Sequence, residues 1–388
     1  MSYPMIEIGD LMLKRNGSVD PSKFPDETFE LHSIPAFDRG SPDIVKGSEI
    51  GSSKQLVQEN DVMISKIVPH IRRASVVCKK GNFRQIASGE WIVFRSNKIY
   101  PDYLKHVLIS DNFNKQFMAT VSGVGGSLLR ARPAFVSKIK IALPPLEEQR
   151  RIASILDKAN ELRQKRQEAI EKLDQLLQAT FIYMFGDPVS NPKNWETTSI
   201  DKICSNIVDC VNKTAPVVEY ETPYKMIRTT NVRNYKVDLS SVRYVEKETF
   251  DKWNRRLTPQ RGDVILTREA PVGEVGILES DDSVFLGQRL MLYRVNLEFT
   301  TPEYLLYFLM SDSFKIQYEQ MSSGSTVKHL SVPQCSKWNI LVPPIELQLK
   351  FSQFYKMIHC NSKLMHISFD KADTLFKSLQ NQAFSGNL

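Results

Sequence analysis

The chain contains one arrangement twice. Leu143-Pro144-Pro145-Leu146-Glu147-Glu148-Gln149, followed by a long charged helical pattern, returns roughly two hundred residues later as Val342-Pro343-Pro344-Ile345-Glu346-Leu347-Gln348. Upstream, Pro101-Asp102-Tyr103-Leu104 and Ser110-Asp111-Asn112-Phe113 return as Pro302-Glu303-Tyr304-Leu305 and Ser311-Asp312-Ser313-Phe314. Downstream, Phe185 before Gly186 matches Phe384 before Ser385. Periods of about 20 to 50 residues build solenoids, whereas a period this long duplicates a whole domain with its own core. A length of 388 residues accommodates two such domains and their linkers. The expected division is a module over residues 1–143, a helical segment over 144–187, a second module over 188–342 and a second helical segment over 343–388.

Pro144-Pro145 stops whatever precedes it, and Glu147 and Glu148 suit the first turn of a helix. From there Ile152, Ile155, Ala159, Leu162, Ala169, Leu173, Leu176 and Tyr183 follow a seven-residue pattern, widened by Leu156, Ile170 and Leu177 and interrupted by Arg166 and Thr180. Gly186-Asp187-Pro188 ends the run, so the helix is about 55–60 Å long at 1.5 Å per residue. The second copy places Phe351, Phe354, Ile358, Met365, Ala372, Leu375 and Leu379 equivalently. Two apolar stripes of equal length can bury each other, which makes Ile152, Ile155, Leu162, Leu173 and Leu176 the expected partners of Phe351, Phe354, Ile358, Leu375 and Leu379. Acids and bases nearly cancel along the first helix, so the formal net charge of +7 must sit elsewhere.

It sits in the loops of the two modules. Each module reads as mixed strands and helices: Asp61-Val62-Met63-Ile64-Ser65 and Glu90-Trp91-Ile92-Val93-Phe94 look like buried strands, and residues 103–108 look helical. The second module repeats this with residues 263–267, 290–295 and 304–309, giving an α+β chain of two similar modules. The loops around these strands carry Lys66, Arg72, Arg73, Arg130 and Arg132 in one module and Arg228, Asn231, Arg233, Arg268 and Lys328 in the other. Arg and Lys neutralise phosphates, and Arg and Asn form paired hydrogen bonds to base edges, so this set is the candidate nucleic-acid interface. Any one of them is more often an ordinary solvated side chain; the set gains weight by recurring in both modules.

Other chemistry is missing from the sequence. Ser122-Gly123-Val124-Gly125-Gly126-Ser127 lacks the Gly-Lys-Ser/Thr ending of a nucleotide loop, and its counterpart Ser322-Ser323-Gly324-Ser325-Thr326 keeps one glycine, so a flexible loop is expected rather than an ATP site. The Asn/Asp-Pro-Pro-Tyr/Phe motif of amino-methyltransferases is absent, as is a glycine-rich cofactor fingerprint between strand and helix. Five cysteines without paired spacing suit reduced core thiols, and His359, Cys360 and His366 lie on a helical pattern rather than at zinc-ligand spacing. No bilayer-length apolar run and no signal pattern appear, which gives the expectation of a soluble, cytoplasmic protein.

Together, Pro144-Pro145-Leu146-Glu147-Glu148-Gln149 with its helix, Phe185-Gly186-Asp187-Pro188 leading into Asn191-Pro192-Lys193-Asn194-Trp195, and Gly262-Asp263-Val264-Ile265-Leu266-Thr267-Arg268 resemble the specificity subunits of type I restriction-modification systems. The likeness spans essentially the whole chain; Leu347 departs from it by replacing the second acid of the motif. The resemblance implies two target-recognition domains, each reading half of a split DNA sequence, separated by two long antiparallel helices forming a coiled coil. It implies no cofactor and no catalysis in this chain. S-adenosylmethionine, ATP and Mg would belong to partners: two modification (methyltransferase) subunits and the restriction (motor-nuclease) subunits. A self-contained DNA methyltransferase would need a cofactor fold for which no motif or spare length exists. A structural coiled-coil adaptor leaves two basic, mutually similar modules unexplained.

Overall fold

A long helix follows each proline pair. In the computed structural model, which describes residues 3–13, 17–79, 81–123, 129–321 and 329–388, long helices follow the Pro-Pro pairs at Leu146–Phe185 and Ile345–Ser385. Two units result, one of Met1–Glu168 with Ile367–Leu388 and the other of Ala169–His366, so each unit takes one module and part of both long helices.

The first unit carries a five-stranded sheet in the order Ser18–Val19, Lys54–Leu56, Arg84–Ala87, Thr28–His32, Asp43–Lys46, and a three-stranded sheet of Ala74–Val76, Val62–Ser65 and Trp91–Phe94. Val62–Ser65 is buried throughout, as a central strand with both faces covered must be. Its face packs on the helix Pro101–Ile109, and Ile8, Ile64, Phe94, Tyr103 and Leu104 meet Ile152 and Leu156 of the first long helix and Phe376 and Ala383 of the second. Met5–Glu7 pairs antiparallel with Lys140–Ala142, tying the start of the module to the strand before Pro144.

The second unit repeats the plan with additions. Val264–Thr267 is again central and buried, flanked by Leu290–Val295 and Val275–Ile277, and the sheet extends through Cys204–Asp209 on one side and Tyr235–Val237 and Val232–Arg233 on the other. A three-stranded sheet joins Arg243–Tyr244, Tyr224–Ile227 and Ser283–Leu286. Glu196–Ser199 pairs with Asn339–Val342, as Met5–Glu7 does with its partner.

The repeated sequence words have repeated jobs. Gln149 is fully buried; its Oε1 accepts from the Tyr100 amide at 2.6 Å, and its Nε2 donates to the carbonyls of Lys98 and Pro144 at 3.0 and 2.8 Å. Gln348, also fully buried, accepts from the Thr301 amide at 3.0 Å and donates to the Phe299 and Pro343 carbonyls at 3.1 and 2.8 Å. Each glutamine thus satisfies the start of a helix and the proline turn, groups that would otherwise be buried without partners. Asp61 and Asp263 form a second such pair: each is buried, accepts an amide three residues back, and holds a guanidinium, Arg95 at 2.6 Å or Arg294 at 2.8–2.9 Å.

The helix seam differs in phase from the stripe expected. Ile152, Phe351 and Ile358 are buried, and Ile155, Leu173, Phe354 and Leu379 are half-buried, but Leu162, Leu176 and Leu375 are 54%, 44% and 57% exposed. The inward positions are Leu156, Ile170 and Leu177, which widen that stripe, together with Arg163 on the first helix and Phe376 on the second. Choosing only apolar residues skipped Arg163, which belongs to the seam because Asp373 neutralises it at 2.8 Å and its guanidinium lies over Phe376 at 4.8 Å. Arg166, which looked like an interruption, donates to the Ser368 hydroxyl at 2.8 Å. In the first unit, Arg163 on Asp373 and Arg151 on the Leu388 carbonyl fix the helices as antiparallel.

Candidate nucleic-acid interface

The central strand of each module delivers a basic residue to the same place. After Val62–Ser65 the Lys66 amide donates to the Glu90 carbonyl at 3.0 Å, and the Lys66 carbonyl accepts from the Ala131 amide at 2.8 Å. After Val264–Thr267 the Arg268 amide donates to the Arg289 carbonyl at 2.8 Å, and the Arg268 carbonyl accepts from the Leu330 amide at 3.1 Å. The backbone therefore equates Lys66 with Arg268, Glu90 with Arg289 and Arg130 with His329. In the first module Arg130 is 60% exposed and meets Glu90 at 3.2 Å. In the second, Glu269 holds both Arg289, at 3.0 Å, and His329. This second site is a polar cleft of about 460 Å³, lined by Asn212, Arg268, Gln288, Arg289 and His329 among others. Arg289 has φ +69°, a left-handed backbone that a long side chain rarely adopts, and such strain gathers where a side chain must be aimed.

Several expected contact residues are engaged within the fold. Asn231 is buried; its Oδ1 accepts from the Arg228 amide at 2.9 Å and its Nδ2 donates to the Asp238 and Ser241 carbonyls at 3.0 and 2.9 Å. That corrects the reading of Asn231 as a base reader, because a short amide in a turn serves the loop's own backbone first. Arg268 is likewise buried, donating to the Leu330 carbonyl at 3.1 Å, so it shapes the cleft floor while Arg289 stands above it. Arg73 forks onto Asp38 at 2.7 and 2.8 Å, and this bond holds the Asp38 carboxyl below its usual range. Arg228 donates to the Ser241 carbonyl, and Arg233 to those of Thr229 and Val232. Arg72 is tied more loosely, to Asp111 at 2.5 Å and the Ile109 carbonyl at 3.2 Å, both at the surface. Arg132 lies on the Phe135 ring at 4.0 Å, and Lys66 is half-buried. Lys328 and the glycine-rich segments at 124–127 and 322–326 lie outside the described residues.

A family model described as the type I restriction modification DNA specificity domain matches residues 3–172 and again residues 192–359. The chain belongs to that family. Both matches contain one module and the start of the helix that follows it. Among curated relatives, the type I restriction enzyme MjaVIII specificity subunit of Methanocaldococcus jannaschii is 24% identical over 265 residues, 64% of this chain and 62% of the relative. The EcoBI specificity subunit of Escherichia coli is 21% identical over 280 residues, 64% of this chain and 58% of the relative. The aligned part thus spans less than two thirds of either relative. A solved chain from work on complex assembly and conformational transition of the type I R-M system is similar over 100% of this chain and 98% of its own length, with TM-score 0.58 and 20% identity, a likeness of fold.

Within the specificity-domain frame, the residues that sequence reasoning passed over are Gln288, Arg289 and His329. Laying Ser88-Gly89-Glu90 over Gly287-Gln288-Arg289 in the repeat would have found Arg289, since a charge reversal at one position of a duplicated scaffold marks a loop tuned separately in each copy.

Proposed function

We propose that the chain is the sequence-specific DNA-binding subunit of a type I restriction-modification complex, each module reading one half of a split target and the chain itself doing no chemistry. The observation that carries the reading is the double family match, one specificity domain per module, on a backbone that brings a basic residue to the same strand end in both. Arg72, Arg130 and Arg132 with Lys66 serve the first half-site. Arg289 and His329, over the buried Arg268, serve the second. In the free chain Glu269 holds both Arg289 and His329, and a phosphate or guanine edge replaces it on binding.

Modification and restriction subunits are the expected protein partners, with S-adenosylmethionine, ATP and Mg on them rather than here. Support comes from apolar side chains left outside the helix seam: Leu162 in the first unit, and Leu176, Tyr183, Met357 and Leu364 in the second, are 44% or more exposed on helices whose other face is packed. Among the described residues no helix is long and apolar enough to cross a membrane, and we place the complex in the cytoplasm.

The test is a module exchange. Residues 1–142 are replaced by those of a relative of different specificity, and the methylated motif is read with the partner methyltransferase present. One half of the motif changes and the other stays; changes in both halves would reject the two-reader model.

A further inference from the structure

A cavity of about 330 Å³ opens in the first module between Thr28–His32, the short helix Ile34–Asp38 and Ala74–Val76. That is the size of a small-molecule site. Its walls are largely apolar, with Phe37 edge-to-face on Trp91 at 5.7 Å and Met63 and Val76 beside them. Its polar end is built from Glu30 and His32. The His32 side chain is 10% exposed, and its Nε2 stands 3.4 Å from Glu30 Oε1 without hydrogen-bond geometry, leaving that nitrogen unpartnered among the described residues. Burial lowers the pKa of His32, which keeps the ring neutral. Glu30 accepts from Gln85 Nε2 at 3.1 Å and retains acceptor capacity. A buried ring nitrogen without a partner is costly, and a ligand that supplies one removes the cost.

The second module has closed the same place. Strand registers equate Glu30, His32, Ser75 and Trp91 with Lys225, Ile227, Gly276 and Leu290. There Tyr235–Val237 adds to the sheet beside Val275–Ile277, the Lys236 carbonyl carbon passing 2.5 Å from where a Cβ on Gly276 would sit. Val232 and Val237 pack against Ile227 and Leu290 in the resulting core. In the first module Ala74–Val76 is the sheet edge, and Ser75 carries the Cβ that Gly276 lacks. The cavity therefore belongs to one copy of a duplicated scaffold, with polar groups in it that the other copy has replaced.

We propose that this cavity binds a planar nitrogen heterocycle bearing an exocyclic amine, of nucleobase size, packed against the apolar wall that Phe37 and Trp91 form together, with its amine on Glu30 and a ring nitrogen on His32 Nε2. Such a ring can arrive as a free nucleoside or as a base extruded from a duplex. Adenosine, cytidine and thymidine are titrated into the full chain by calorimetry. Adenosine or cytidine binds saturably, and thymidine, which offers no amine, binds at least about tenfold more weakly. Ser75→Phe fills the cavity and abolishes binding, and Glu30→Gln reduces the preference for the amine, with thermal melting as the check on folding. Duplexes carrying 2-aminopurine separate the two sources: a fluorescence change on binding that Ser75→Phe removes assigns an extruded base, and nucleoside binding without that change assigns a free nucleoside. No saturable binding of adenosine or cytidine up to about 1 mM, or binding unchanged in both variants, overturns the proposal. The titration contains no DNA, so its failure is separate from any failure of the DNA-reading function.

Discussion

Phe185, the last residue of the first long helix, packs edge-on against Tyr304 with ring centroids 4.8 Å apart. Phe384, near the end of the second helix, takes the same place against Tyr103 at 5.8 Å. Each module is therefore completed by the end of the helix that follows the other module, and the echo of Phe185 in Phe384 is a packing requirement. Phe185 also touches Phe181 and Phe351, with centroids at 5.1 and 5.5 Å, and is 2% exposed.

Phe185→Ala should therefore cost about 3–5 kcal/mol, because the surrounding rings cannot collapse into the space it leaves. Phe384→Ala should cost less, its ring being only partly buried. Urea unfolding of the two variants measures both; equal and small losses would show that the helix ends do not complete the modules.

Gln348 carries a sharper expectation. Its amide bonds to groups at Phe299, Thr300, Thr301 and Pro343, so Gln348→Leu keeps the volume and orphans them. The loss should be about 2–4 kcal/mol, with faster hydrogen exchange at the Thr301 amide. A loss below about 0.5 kcal/mol would show that water replaces the side chain.

Much of this was legible in the sequence, for physical reasons. Pro-Pro followed by acids starts a helix whatever surrounds it, and a buried strand such as Val264–Thr267 must be apolar along its length. The duplication located pairs such as Gln149 with Gln348 and Phe185 with Phe384. What periodicity missed was the register of the seam, where Arg163 takes an inward position only because Asp373, far away in sequence, faces it. The basic loops were legible as a set and not one by one, since Asn231, Arg73 and Arg268 look free until the loop carbonyls and carboxylates they serve are in place.

Arg268 and Arg289 separate folding from reading. Arg289→Ala should weaken cognate duplex binding by about 1–3 kcal/mol with an unchanged melting temperature, whereas Arg268→Ala should lower the melting temperature as well. Fluorescence anisotropy on cognate and scrambled duplexes, beside thermal melts, distinguishes them. Cognate affinity unaffected by Arg289→Ala would remove that residue from the interface.

The phase of the helix seam is tested by adjacent leucines. Leu177 is 4% exposed and Leu176 is 44% exposed. Leu177→Ala should cost about 2–4 kcal/mol and Leu176→Ala under about 1 kcal/mol in the isolated chain. Leu176→Glu should then leave folding intact while weakening assembly with a modification subunit, measured by size-exclusion chromatography of the mixture. Intact assembly would free that face from the partner contact.

Glu279 makes the fold sensitive to acid. Its carboxylate receives His359 at 2.9 Å and Lys363 at 2.8 Å from the second long helix, with the Tyr355 hydroxyl at 3.5 Å. Burial alone would raise its pKa, but the hydrogen bonds and charges of His359 and Lys363 outweigh burial and bring it down to about 2, from an ordinary 4.5. A carboxyl depressed on folding contributes stability that is fully present above its unfolded pKa and is lost as pH falls toward the folded one. Glu279→Gln removes the titration and the charge together. The variant should be less stable than its parent by about 1–3 kcal/mol at neutral pH, and the gap should narrow as pH drops below about 4.5. Urea unfolding of both proteins across that range reads the gap directly. A difference that stayed constant from neutral pH down to about pH 3 would mean that the glutamate holds the helix by packing alone, without the charge that His359 and Lys363 meet.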